Sequence, residues 1–407
     1  MMREALVGID VGTTFIKTVV YDGGFVPLGE CKVRTPWRQT ESGGDADPEA
    51  IVVAVLQSLD GALARAGVDR IGALGVTGMG ESGVLVDVDD LPVAPVIAWH
   101  DRRGLEQARD LARAVERFAE SSGRPASQLC SLVKWRLLAE EGLDLARVRR
   151  WYSMAEWVVH RLGGRPQTES SLASRTGVLD VRRGELNTAA IEWAGGRADW
   201  FGEIVSAGVA AGVATVGPDA IRGSVTAVAG LDGYASAVGV GADSVDVAFL
   251  SCGTSGAAIR TIPGTLNDDD MRRFAAMDFT LDRWVDGQLV MLGSTPCGLI
   301  LQPLYDVLGP PVEATPTFLN SAALDPAALW RRAFDAVADG QVRLVRDIER
   351  IGSPVQRVVA AGGWIAQAGL RECLERRIGG RLTVFTDENT AARGAAMLAR
   401  AALASST

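Results

Sequence analysis

Two short turns in this chain of 407 residues have the composition that an anion site needs. Gly12-Thr13-Thr14 and Gly253-Thr254-Ser255 each follow an apolar run. Small residues let backbone N–H groups approach a phosphate closely, and hydroxyls add donors; the plain alternative is a tight hairpin turn. Asp10 closes the run before the first turn. A carboxylate there can hold Mg2+, directly or through water, while the turn holds phosphate, or it can cap its own turn. Asp232 stands in AVAGLDGYASAVGVG, a segment otherwise almost uncharged. Partial burial would lift its pKa toward neutrality and make it a candidate general base. The glycine that follows it leaves an ordinary turn residue as the alternative.

Two polar islands follow further apolar runs: TGMGESG (77–83) and AWHDRRG (98–104). Glu81, Trp99, His100, Asp101, Arg102 and Arg103 could line a sugar site. Carboxylates accept paired hydroxyl hydrogen bonds, and an indole face stacks on C–H groups. A helix start with a solvated charge run is the alternative. No GxxxxGK[ST] occurs, which disfavours a P-loop NTPase. No GxGxxG opens a helix after the first strand, which disfavours a dinucleotide oxidoreductase.

The formal charge of −9 argues against a nucleic-acid partner, because a phosphate backbone demands clustered Lys and Arg. The five cysteines are widely spaced without a CxxC, which fits reduced thiols in a cytoplasm. The two histidines, His100 and His160, lie in no zinc motif. The opening MMREALVGIDVG holds no apolar stretch suited to a signal peptide, and no window approaches about 18 uninterrupted apolar residues, so no membrane span is expected.

The elements that must carry these residues are legible in outline. Ala5–Ile9 and Ile16–Tyr21 read as a strand hairpin, and 48–66 as a helix with Pro48 in its first turn. Residues 70–78 read as a buried strand. The apolar spacing at 105, 108, 111, 112, 115 and 118 predicts one continuous helix. Further helices are expected at 131–140, 153–162 and 391–404. Between 165 and 217 the chain is polar, glycine-rich and weakly periodic. VDVAFLSCGTSGAAIR (245–260) echoes ALVGIDVGTTFIKTVVYD (5–22), which suggests two related domains. With 47% hydrophobic residues two cores can form. The boundary is expected at Gly217-Pro218, giving domains 1–217 and 218–407.

Taken in order along the chain, these segments resemble the FGGY carbohydrate kinases, which include glycerol, xylulose and gluconate kinases. GIDVGTTFIKTVVYD is similar to the family's first phosphate loop, and the resemblance adds Lys17 to Asp10, Gly12, Thr13 and Thr14. GVTGMGESGVLVD, with Met79 and Glu81, and IAWHDRRG resemble the substrate segments. GLDGYASAVGVG resembles the segment of the catalytic aspartate, placed on Asp232. LSCGTSG resembles the second phosphate loop, with Gly253 and Thr254. VAAGGWIAQAGL resembles the adenosine loop, with Gly362, Gly363 and Gln367. SSLASRTGVLDVRRGEL resembles a connecting segment. The chain departs from the pattern at Gly80, where glycerol-kinase-like members carry arginine, at His100, where xylulose-kinase-like members often have asparagine, and at Trp364, where a small residue is usual.

The resemblance implies an α/β protein of two actin-like (ribonuclease H-like) ATPase domains with an interdomain cleft. It implies ATP and Mg2+ as cofactors, Asp232 as general base, and a small sugar or polyol as acceptor. Homodimers are common in the family, and the expected location is cytoplasmic. Two other readings stand beside it: an ATPase of the same fold that acts on protein, and a non-catalytic sugar-binding relative.

Overall fold

The computed structural model describes residues 4–253, 255–277, 279–311, 325–351 and 353–406. The chain forms two compact units. Unit 1 comprises 1–239, 263–290 and 391–407, and unit 2 comprises 240–262 and 291–390.

Unit 1 is built on a mixed sheet. Strands β1 (Ala5–Val11), β2 (Phe15–Tyr21) and β3 (Pro27–Arg34) form an antiparallel meander. Strand β4 (Ile71–Gly78) lies parallel to β1, and β6 (Val225–Leu231) lies parallel to β4. A short edge strand, β5 (Ala210–Val213), pairs antiparallel with β6. The spatial order is β5-β6-β4-β1-β2-β3. All eight residues of β4 are buried, as expected of a parallel strand covered on both faces.

Helix α1 (Pro48–Ala66) begins with the Asp47 side chain accepting from Glu49 N, has proline at its start, and ends on a left-handed Gly67; these are ordinary start and stop signals. It packs on β2 and β3. Helix α2 (Met154–Arg161) carries a full capping box between Ser153 and Glu156. Two shorter helices, α3 (Ser170–Thr176) and α4 (Asp232–Gly239), complete the part of unit 1 that matters below. The last helix, Thr390–Ser406, lies on β1 and β4 from Ala391 onward. It comes so close that a Cβ on Gly8 or Gly75 would stand 1.7 or 2.0 Å from the carbonyl oxygen of Ala392 or Ala395. Its alanines 392, 396 and 399 form one core with Leu6, Val19, Tyr21 and Ala73.

In unit 2, strands β7 (Val247–Cys252) and β8 (Ser255–Ile262) form the antiparallel hairpin. Strand β9 (Leu289–Pro296), which belongs to unit 2 from Met291 on, lies beside β8. Strand β10 (Arg357–Ala361) is parallel to β7, and β11 (Leu382–Val384) is parallel to β10. The order β9-β8-β7-β10-β11 repeats β3-β2-β1-β4-β6 of unit 1. The echo between the two hairpin sequences thus marks the same place in two sheets of one topology.

Two expectations change. The expected boundary at Gly217-Pro218 falls inside unit 1, because β6 follows it and pairs with β4 some 150 residues earlier in the chain. The continuous helix expected over 105–118 is two helices, Leu105–Ala114 and Phe118–Ser122, with Val115 extended and Arg117 left-handed at φ 54°. The break still lets Val115 and Phe118 enter one core with Leu111, so the apolar stripe was real and its continuity was not. The helices expected at 48–66, 131–140 and 153–162 are present.

Candidate active site

In unit 1, three carboxylates project from the carboxyl ends of three adjacent parallel strands. Asp10 stands near the end of β1, Glu81 lies three residues past β4, and Asp232 follows β6 and starts α4. This is the edge at which open α/β sheets bind ligands.

Asp10 sits directly across from Lys17 in the β1–β2 ladder. Solvent reaches an edge of the residue, but its Oδ1 is buried and has no hydrogen-bond partner. Burial, then the neighbouring charge of Asp232, push its pKa up to about 7, against the pull of Lys17. Asp232 is likewise partly buried, and its Oδ1 accepts from Gly233 N at 2.6 Å. Burial pushes its pKa up to about 6; the Gly233 bond and Arg175 pull it down, and Glu81 raises it. The two acids feel one another, so they titrate as a pair.

The turn at 12–14 is held from outside. The Thr35 hydroxyl donates to Gly12 O at 2.7 Å, and the Trp37 indole donates to Thr13 O at 2.7 Å. Trp99 donates its indole N–H to the Thr13 hydroxyl at 2.8 Å. That leaves the Thr13 hydroxyl proton free to point elsewhere, and Thr14 is exposed. Trp99 also packs edge-on to the exposed ring of His100, with centroids 5.4 Å apart. Met79 is buried, with its N–H on Val11 O.

Glu81 belongs to a buried ion network that its sequence surroundings do not announce. Arg175 of α3 donates to Glu81 Oε1 through Nε at 2.8 Å and through Nη2 as well. Arg175 Nη1 reaches Thr280 Oγ1 at 2.9 Å and Asp282 Oδ2 at 3.2 Å. Arg124 donates to Asp282 Oδ1 at 2.6 Å, and Tyr234 of α4 donates its hydroxyl to Asp282 Oδ2. Burial would raise Asp282, but the guanidinium groups of Arg124 and Arg175 hold it below the usual carboxylate range. Gly80 explains how Arg175 enters: a Cβ there would stand 2.6 Å from Arg175 Cγ.

Asp101 is placed differently from the sugar contact expected of it. It is fully buried, and its oxygens are taken by Arg103, Ser42 Oγ and Gly44 N. The bonds from Arg103 outweigh burial and hold its pKa down to about 2. Arg103 also bonds Asp45 at 2.7 Å, so the second island acts as internal bracing around Trp99.

In unit 2, Gly253 follows β7, and its carbonyl accepts from Gly298 N at 3.0 Å. Thr254 lies outside the described residues. Ser251 takes the place that Asp10 holds in unit 1, and Gln341 donates to Ser251 O at 3.1 Å. Gly362, at φ 116°, ends β10 so close to β7 that a Cβ would stand 2.8 Å from Cys252 C. Gly363 is exposed, with nothing within 4 Å of where a Cβ would point. Trp364 packs against Tyr305 and Trp330, and Gln367 closes the turn by donating from its N–H to Trp364 O. Burial pushes the Cys252 and Cys297 thiols up to about 12, so both stay protonated at neutral pH.

The chain belongs to the FGGY family of carbohydrate kinases: the model of the family's N-terminal domain matches residues 5–245. The gluconokinase of Bacillus subtilis (strain 168) is 25% identical over 354 residues, covering 83% of this chain and 66% of that protein. The gluconokinase of Bacillus licheniformis is 23% identical over 313 residues, covering 75% of this chain and 60% of that protein. This chain therefore spans just under two thirds, or less, of these relatives' length. Among solved structures, xylulose kinase from Rhodospirillum rubrum superposes with a TM-score of 0.83 at 19% identity, covering 97% of this chain and 89% of that one. Gluconate kinase from Lactobacillus acidophilus superposes with a TM-score of 0.83 at 17% identity, covering 98% and 89%. These superpositions establish the fold.

Proposed function

We propose that this chain transfers the γ-phosphoryl group of ATP to a hydroxyl of a small sugar, sugar acid or polyol. The observation that carries the reading is the pair Asp10 and Asp232, at the ends of β1 and β6, each pushed toward neutral pKa within electrostatic reach of the other. The family and its named gluconokinase relatives support the acceptor class.

Asp232 takes the proton of the acceptor hydroxyl as its oxygen bonds to the γ-phosphorus and the bond to the β–γ bridging oxygen breaks. Its raised pKa suits a base working near neutrality. Glu81, with Oε1 fixed by Arg175, accepts from neighbouring acceptor hydroxyls, and the Trp99 ring borders them. Within unit 1 the 12–14 turn and Lys17, which stands opposite Asp10 in the ladder, suit phosphate oxygens. Within unit 2, taken by itself, Gly253 and Thr254 suit phosphate, and Gly362, Gly363 and Gln367 suit the adenosine. Asp10 suits a magnesium site: its buried Oδ1 lacks a partner, and a magnesium ion that arrives with nucleotide needs only one or two protein carboxylates. When bound, the ion would neutralise charge on the β- and γ-phosphates.

The test is ADP release with Mg2+ and ATP across pentuloses, hexuloses, aldonates and polyols. Acceptor-dependent turnover is expected with at least one. If no acceptor stimulates release and Mg2+-ATP does not raise the melting temperature, the proposal fails.

A further inference from the structure

Helix α3 lies in the polar, weakly periodic stretch between 165 and 217, yet it touches both ends of the candidate chemistry. Its N-cap is Glu169, which is wholly buried. Glu169 Oε1 accepts from Ser171 N at 3.0 Å and from Ser170 Oγ at 3.3 Å; Oε2 accepts from Leu172 N at 2.9 Å and Ser171 Oγ at 2.7 Å. Glu156 of α2 in turn accepts from Glu169 N at 2.7 Å. Ser171 and Arg175 are four residues apart, so they share one helix face.

Ser171 Oγ accepts from Leu231 N at 3.1 Å, on the residue just before Asp232. That peptide is irregular: β6 slips register against β4 between Val228 and Leu231, and Gly230 adopts φ 74°. No side chain fits at Gly230, since a Cβ would stand 2.8 Å from Ser171 Oγ and 2.7 Å from Trp284. Thr77 of β4 clamps the same bulge by donating to Gly230 O at 2.6 Å. Bulges of this kind re-aim side chains beside functional sites. At the other end of the helix, Arg175 fixes Glu81 Oε1 and bonds Asp282, which also accepts from Tyr234 two residues after Asp232.

We propose that Ser171 and Arg175 are positioning residues, and that α3 is the rigid spacer that sets the aim of Asp232 relative to Glu81. Ser171 acts on the base through the Leu231 N–H, with Glu169 orienting its hydroxyl. Arg175 acts on Glu81, the carboxylate proposed to hold the acceptor. The inference rests on the reading of Asp232 and Glu81 above, but it is separable from that reading.

S171A deletes the acceptor of the Leu231 N–H. Its kcat should fall about 10- to 100-fold, the scale of a displacement of about 1 Å, while KM for ATP and for acceptor stays within about threefold. R175K keeps the charge and loses the fork, so acceptor KM should rise about 10-fold, with a smaller change in kcat. A purely structural role would lower thermal stability in both variants without this split. T77V, which frees Gly230 O, provides a second route to the base should S171A fold poorly, and it should repeat the kcat-selective loss. S171A and T77V both turning over within twofold of wild type, while D232N is inactive, would overturn the inference. D232N turning over normally would instead remove Asp232 as base. A crystal structure of S171A reads the aim without any activity: a shift of about 1 Å in the Asp232 carboxylate supports the spacer, and an unmoved carboxylate refutes it.

Discussion

The hairpins β1–β2 and β7–β8 occupy the same place in two sheets of one topology, and their turns differ in charge. The first has Asp10 facing Lys17 across the ladder. The second has Ser251 facing Ala257, with neutral, buried Cys252 next in line. Each strand that follows in parallel ends in a different device: β4 leads to buried Glu81 braced by arginine, and β10 leads to Gly362 and the open Gly363. The same backbone scaffold thus offers titratable groups in unit 1 and close, uncharged backbone in unit 2. A site that moves protons and binds a cation needs the first kind. A site that only holds a nucleotide's polar edges is served by the second.

That contrast can be broken most sharply at its charged end. D10N should lower kcat by about 10² to 10³, the scale of losing one charge-stabilising group, whereas S251A at the matching position should stay within about threefold. Similar losses in both would erase the asymmetry. Next in size is G362A. A side chain there meets both the positive φ and the Cys252 backbone, so urea unfolding should show a loss of about 2–3 kcal/mol, with weaker nucleotide binding.

A double dissociation sharpens the comparison further. E81A should raise acceptor KM about 10-fold and leave KM for ATP nearly unchanged, after the pattern of lost uniform binding. G363V places its side chain in open space, so it should fold normally, raise KM for ATP, and spare the acceptor.

The smallest expected effect is a pH dependence of stability. Asp10 and Asp232, with the buried Glu156 and Glu169 (both pushed up to about 7 by burial), lie in unit 1. Between about pH 4 and 7 the folded chain holds more protons at these groups than the unfolded chain does. Their contribution is therefore fully present in acid and is lost as pH rises through 6–7. The metal-free protein should melt lower at pH 8 than at pH 6. D10N should flatten that slope and raise Tm at pH 8 by about 2–4 °C, while S251A should leave the slope alone. Asp101 works in the opposite direction, but its window lies near pH 2–4, well below this range.

Much of this site was legible because its signals are local. A strand, a small-residue turn and a second strand are adjacent in sequence, so Asp10 and the 12–14 turn could be read directly, and the isolation of Asp232 in an uncharged segment reflected its partial burial. What escaped reading is non-local. Arg124, Arg175 and Asp282 come from three separated segments and meet only after folding, and no periodicity marks a charge as buried. Ser171 was hidden in a segment whose helix has seven residues, too short to produce an apolar stripe. Asp101 looked like a ligand because it stands in a charged island, yet its bonds to Arg103 and Ser42 make it internal bracing. The unit boundary was obscured for a similar reason: β6 completes a sheet begun at the other end of unit 1.

The last helix carries a consequence for how the molecule is made. The chain from Ala391 onward returns to unit 1 only after all of unit 2 has been passed, and Ala392 and Ala395 seat within touching distance of Gly8 and Gly75. Nascent chains usually settle their leading domain first. Here the ribosome must finish unit 2 before it can supply the last helix of unit 1. Translation halted near residue 390 would release a chain whose Leu6, Val19, Tyr21 and Ala73 face water, a natural handle for chaperones and proteases.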